Sequence, residues 1–146
     1  MTLVDANILL YAANRAAPEH AVARPWLDAQ LSGPGRVALP WPSLLAFVRL
    51  ATNPLVVRQP AAMPAAWNQV REWLTADVAW IPAPTERHAE ILGRFCDESW
   101  MTSRLVPDGH LAALAIEHGL TLCSSDGDFA KFPGLTWHNP LAAGQT

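Results

Sequence analysis

Aspartates occupy places in this chain where a carboxylate could do chemistry. Asp5 ends a short apolar run, Leu3-Val4, that reads as a strand, and a helical stretch from Ile8 to Ala13 follows it. Asp126 comes directly after a second such run, Leu120-Thr121-Leu122-Cys123, and Asp108 opens the helix that precedes that run. Taken singly, each is explained as a helix cap, because a carboxylate accepts from the free N–H groups of a first turn and the helix dipole favours it there. Taken together they call for more. In a parallel α/β sheet the strand ends and helix starts share one edge, and carboxylates gathered there repel unless a cation sits between them. All-oxygen ligation with room for water suits Mg2+ or Mn2+. No His/Cys grouping has zinc-type spacing, so His20, His88, His110, His118 and His138 are expected to be surface or hydrogen-bonded core residues. A hard divalent ion beside a phosphodiester can activate water and polarise the phosphoryl oxygen, so hydrolysis of a nucleic-acid backbone is the expected chemistry.

The elements that must position these acids follow from periodicity. Helices are expected over 18–31, stopped by Ser32-Gly33-Pro34-Gly35, and from a cap at Ser43 through Leu50. Trp67, Val70, Trp73 and Leu74 share one helical face, and the Pro-rich stretch 54–64 ahead of them is expected to be the loosest loop. A long helix over 84–100 is expected to turn Ala89, Ile91, Leu92 and Phe95 inward, and 107–118 gives the next helix, closed by Gly119. Short apolar runs at 37–39, 78–81 and 135–137 supply further strands. Strands alternating with amphipathic helices predict a three-layer α/β/α sandwich with a mostly parallel sheet, whose ligands bind at the carboxyl ends of the strands.

Composition sets outer bounds. A chain of 146 residues, half of them apolar, suits one domain over 1–146 with one substantial core. A formal charge of −3 argues against a protein that coats nucleic acid by bulk electrostatics, although every cation except Lys131 is an arginine, a side chain that pairs bidentately with phosphate. Cys96 and Cys123 lie in apolar-looking segments without metal-ligand spacing and are expected to be reduced, buried thiols in a cytosol. No apolar stretch reaches membrane-spanning length before Pro or a charge, so a soluble protein that is not exported is expected. Five of the tryptophans, Trp26, Trp67, Trp73, Trp80 and Trp137, sit in apolar patterns and are read as packing; Trp41 and Trp100 are left open.

Three segments resemble a known family. The opening Leu3-Val4-Asp5-Ala6-Asn7-Ile8-Leu9-Leu10-Tyr11-Ala12 is similar to the start of PIN domains, and Val106-Pro107-Asp108-Gly109-His110-Leu111 looks like their third acidic motif. Ser124-Ser125-Asp126-Gly127-Asp128-Phe129 resembles the fourth. Motif order, length and the closing Trp137-His138-Asn139-Pro140-Leu141 resemble VapC-type toxins of bacterial toxin–antitoxin modules. The resemblance implies a metal-dependent endoribonuclease with Asp5, Asp108 and Asp126 as metal ligands and Asp128 beside them as a further catalytic acid. It also implies that Asn7 supports Asp5 and that Ser124 hydrogen-bonds a metal-bound water. Arg49, Trp100 and Arg104 are the expected substrate or antitoxin contacts, RNA and a small cognate antitoxin the expected partners, and a homodimer the expected assembly. The chain departs from the family where a glutamate usually stands three residues before an arginine: Ala46 holds that place ahead of Arg49. One negative charge is thereby lost, which favours one tightly held ion over two. It also motivates an alternative reading as a non-catalytic module that binds RNA or antitoxin. A metal-dependent phosphatase is a weaker reading, since Asn7 stands where its second acid would be.

Overall fold

The computed structural model describes residues 1–142. Strands and helices follow in the order β1 (Thr2–Val4), α1 (Ala6–Ala13), α2 (His20–Ser32), β2 (Val37–Ala38), α3 (Trp41–Ala51), α4 (Met63–Leu74), β3 (Ala79–Trp80), α5 (His88–Cys96), α6 (Val106–His118), β4 (Thr121–Cys123) and β5 (Thr136–His138). Single 3-10 turns lie at Ser103–Leu105 and Gly127–Lys131. The strands lie side by side as β3-β2-β1-β4-β5, and every pairing is parallel. Leu3 and Val4 are both fully buried and fall in different core clusters, as the pleat requires. Val4 joins Ile8, Leu9, Leu44, Phe47 and Trp73 in one; Leu3 joins Leu105, Leu114, Leu122 and Phe129 in the other. A strand covered on both faces reads as an unbroken apolar run, which is how these strands read in the sequence. The architecture is the expected α/β/α sandwich.

The chain builds outward from β1 to β2 and β3, then returns to place β4 against the other side of β1. Strand order therefore reverses between β1 and β4, and in open α/β sheets the crevice beyond the carboxyl ends at such a point is where ligands bind. Asp5 follows β1 and Ser124 follows β4 at that crevice. One backbone bond ties these two strand ends together, the Asp5 N–H donating to the Cys123 carbonyl at 3.0 Å, while the Ser124 N–H donates to the His138 carbonyl of β5 at 3.1 Å and ties β4 to its other neighbour.

Several local expectations need correction. Ser43 does not cap α3: Pro40 holds the cap position, and the Ser43 hydroxyl, inside the first turn, is buried without a hydrogen-bond partner. The Trp41-Pro42 pair starts the helix earlier because proline is at home in a first turn, where its missing N–H is not needed. The long helix over 84–100 shrinks to α5. Its would-be first turn is diverted, because the Thr85 N–H and hydroxyl both donate to Glu117 at 2.7 Å and the Arg87 N–H donates to the Thr85 hydroxyl at 3.1 Å. Ile91 and Phe95 face inward as expected, but Ala89 is exposed. The stretch 54–64 is not wholly loose: Val57 is buried, Ala61 donates to the Ala51 carbonyl at 2.9 Å, and α4 already begins at Met63. Cys96 is exposed, while Cys123 is buried as expected; both thiols are free.

Glu117 and His110, seven residues apart on α6, share one helix face. Across that face His88 of α5 bridges them, its Nδ1 meeting Glu117 and its Nε2 lying 3.0 Å from His110 Nδ1. The Glu117 side chain is fully buried, and its hydrogen bonds to Thr85 and His88 hold its pKa below the usual glutamate value despite burial. This network fastens α5 to α6 on the side of α6 turned away from Asp108, since nine helical steps separate Asp108 from Glu117.

Candidate metal centre

Asp5 sits where β1 gives way to α1, and its carboxylate is built into the backbone. Oδ1 accepts from the Ala6 N–H at 2.8 Å, which makes Asp5 the cap of α1. Oδ2 accepts from the Ser124 hydroxyl at 2.8 Å and from Asn7 Nδ2 at 3.4 Å. Ser124 is fully buried, and its hydroxyl also accepts from Asn7 Nδ2 and from the Asp126 N–H, both at 3.0 Å. Asn7 closes the circle by accepting from the Ser125 N–H through Oδ1 at 3.3 Å. The turn after β4 is fixed further by Trp137, whose indole N–H donates to the Ser124 carbonyl at 3.0 Å. Asn7 and Ser124 thus tie the end of β1 to the end of β4 and hold Asp5 between them.

Asp126 caps the 3-10 turn Gly127–Lys131 and accepts from the Asp128 N–H at 2.9 Å. Asp108 lies in the first turn of α6, after Pro107, and its carboxylate has no hydrogen-bond or ion-pair partner among the described residues. Gly109 beside it lets that turn pack closely, because a Cβ there would come within 3.1 Å of the Met101 side chain and 3.2 Å of Leu92. Asp108, Asp126 and Asp128 each offer a carboxylate oxygen, and those oxygens lie within 4.8 Å of one another. Asp5 stands outside this trio, so the structure groups Asp128, rather than Asp5, with Asp108 and Asp126. Asp5 still feels Asp126: burial raises its pKa most, the Ser124 and Ala6 hydrogen bonds oppose that, and repulsion from Asp126 adds to it.

The electrostatics separate Asp108 from Asp128. Asp108 is raised to about 6, first by burial and then by repulsion from Asp5, Asp126 and Asp128, with Arg104 pulling weakly the other way. Asp128 goes the opposite way, held down by hydrogen bonds from Arg104 and Lys131. Arg104 donates to Asp128 Oδ2 at 2.7 Å, and Lys131 Nζ lies 3.3 Å from Asp128 Oδ1. An all-oxygen set with one unpartnered carboxylate, raised by burial and then by like charges, matches what a hard divalent cation requires. Zinc-type nitrogen or sulfur donors are missing from that set.

Trp100 packs against Phe132 and Phe95 at ring-centroid distances of 5.1 and 6.4 Å and is partly buried on the core. Arg49 is exposed on α3 and forms no salt bridge among the described residues. Ala46 is half-buried on the same helix. Lys131 escaped the sequence reading, although its place three residues after Asp128 in a tight turn was a usable signal.

The PIN-domain family model matches residues 2–135, and the chain belongs to that family. Within it, the chain is 46% identical over 142 residues to Ribonuclease VapC37 of Mycobacterium tuberculosis, covering 97% of this chain and 99% of that protein. Its fold resembles a chain in the structure of VapBC2 from Rickettsia felis bound to a DNA fragment from their promoter, with a TM-score of 0.70, 15% identity, and 94% and 97% of the two chains covered. It also resembles Mycobacterium tuberculosis VapC20, a Sarcin-Ricin loop cleaving toxin, with a TM-score of 0.66, 17% identity, and 90% and 94% covered.

Proposed function

We propose that the chain, read as one PIN-like domain over 1–146, is a metal-dependent endoribonuclease of the VapC kind. In this reading it is the toxin of a toxin–antitoxin pair and hydrolyses RNA phosphodiester bonds. The observation that carries the reading is the convergence of Asp108, Asp126 and Asp128 at the β1/β4 crevice, beside Asp5, in a chain 46% identical to a protein named a ribonuclease. Mg2+ or Mn2+ is the ion this donor set favours, and it would supply Lewis-acid activation of water and of the phosphoryl oxygen. Asp108 and Asp126, common to the expected set and to the trio, form the heart of the ion site, with Asp5 and Asp128 flanking it. Ser124 and Asn7 act behind Asp5 by fixing where its carboxylate points, and outer partners of this kind tune an ion site strongly.

A small cognate antitoxin is the proposed protein partner, supported by the fold likeness to a chain of VapBC2. A homodimer and a cytoplasmic location complete the proposal; no helix among the described residues is long and apolar enough to cross a membrane. The test is cleavage of a structured RNA in Mg2+ or Mn2+ by the native chain and by Asp108→Asn, with and without chelator. Cleavage that disappears with the substitution and with the chelator is expected. Cleavage that survives either one rejects this site, and a native chain that binds RNA without cutting it returns the non-catalytic reading that Ala46 motivates.

A further inference from the structure

An edge that gathers four carboxylates repels the polyanion it is proposed to cut, and one divalent ion neutralises only part of that charge. Cations must therefore meet the RNA near the acids. Two stand there: Arg104 and Lys131, one on each oxygen of Asp128. Their side chains are 67% and 44% exposed. Pairs this open add little to fold stability, so holding the chain together is a weak explanation for them. What Asp128 does achieve is orientation. Leu105, 1% exposed, anchors the 3-10 turn that carries Arg104, and Asp128 fixes the guanidinium through Nη1. The other guanidinium donors have no partner among the described residues and match the two oxygens of a phosphate.

We propose that Arg104, oriented by Asp128, is the residue that positions an RNA phosphate beside the acid cluster, with Lys131 as the second cation of that grip. The inference rests on the ribonuclease reading and assigns Asp128 chiefly to holding Arg104. The test is fluorescence anisotropy with a labelled single-stranded RNA in chelator, where no cutting occurs, repeated over a salt series. In the full-length chain Arg104→Gln is expected to weaken binding about tenfold. It should also lower the slope of log K against log salt by about 0.7, the share of one lost phosphate contact on a single strand, and adding Lys131→Gln should lower it by about as much again. Arg104→Lys keeps the charge but loses the fork, so it should keep the slope and recover only part of the affinity. Mg2+ binding by Arg104→Gln, measured by calorimetry, should be no weaker than native, since a competing cation has been removed. Native chain that binds RNA, with Arg104→Gln unchanged in affinity and slope, overturns this inference alone. Equal losses of Mg2+ and RNA binding in that variant also overturn it, because Arg104 would then act through the ion site. A native chain without affinity for RNA in chelator also overturns this inference, whereas failure of the ribonuclease reading shows separately, as absence of cleavage in Mg2+ or Mn2+.

Discussion

Asp108 is an unfavourable residue in the metal-free protein, and removing its charge should make the fold more stable while destroying the site. Its carboxyl rises from an ordinary 3.8 to about 6. At about 1.4 kcal/mol per tenfold change in acidity, that rise has a ceiling near 3 kcal/mol of native-state penalty at neutral pH. Asp108 is only partly buried, so solvent screening cuts that to roughly 1.5 kcal/mol, and the helix dipole of α6 returns about 0.5 kcal/mol. Asp108→Asn should then gain on the order of 1 kcal/mol in chelator, or about 3 °C in Tm for a chain of this size. The sign reverses with the ion. Mg2+ at 100 times its Kd stabilises the native chain by about 2.7 kcal/mol, and the variant should gain little or nothing. Scanning calorimetry of both proteins, each in chelator and in Mg2+, reads all four numbers. A variant that melts below the native chain in chelator would refute the reasoning, since it would mean that the Asp108 carboxylate is stabilised where it stands.

Other expectations follow from the same geometry. Because the folded pKa of Asp108 is raised, its contribution to stability is present below pH 4 and lost as pH climbs through about 6, so the metal-free Tm should carry a falling component across that window and Mg2+ should remove it. Mg2+ affinity measured by calorimetry should fall by about tenfold per pH unit below pH 6, as protons compete for Asp108. Ser124→Ala removes the buried hydroxyl shared by Asp5, Asn7 and Asp126, and should cost roughly 2 kcal/mol in urea unfolding and about 10- to 100-fold in metal affinity. Glu117→Gln should cost roughly 2 kcal/mol, because the charged acceptor of Thr85 and His88 is lost, yet leave RNA cleavage intact; a large loss of cleavage would contradict the separation of the two faces of α6. That stabilisation is held above the ordinary glutamate pKa and lost as pH falls, because the folded Glu117 pKa is lowered.

The parts of this molecule that could be read from sequence are those governed by local period or by chain order. Leu3-Val4 and Leu122-Cys123 announced buried strands because both faces are covered, and Gly119, at φ 65°, announced the end of α6 because a glycine is at ease in that conformation. What failed depends on partners far along the chain. Nothing in residues 84–100 alone says that Thr85 will donate to Glu117, 32 residues away, and so delay α5. Arg104 meets Asp128 across 24 residues with no shared period, so its pairing was invisible although its place near the site was not. Asp128 itself entered through family resemblance, and only the turn after β4 shows how it comes to lie with Asp108 and Asp126.

Capping and metal binding were competing accounts of the aspartates, and the structure divides them by residue. Asp5 caps α1 and Asp126 caps the turn after β4, so capping explains both positions whether or not an ion is ever bound. Asp108 caps nothing: Leu105 holds the cap position of α6, and no described donor reaches the Asp108 carboxylate. An acid held at a cost among other acids, with no hydrogen bond in return, requires a reason outside the fold. A divalent cation is such a reason, because it converts the repulsion that Asp108 meets from its acidic neighbours into ligation shared with Asp126. Asp108, more than the two aspartates that are also caps, is therefore the residue that points to a cation at this edge.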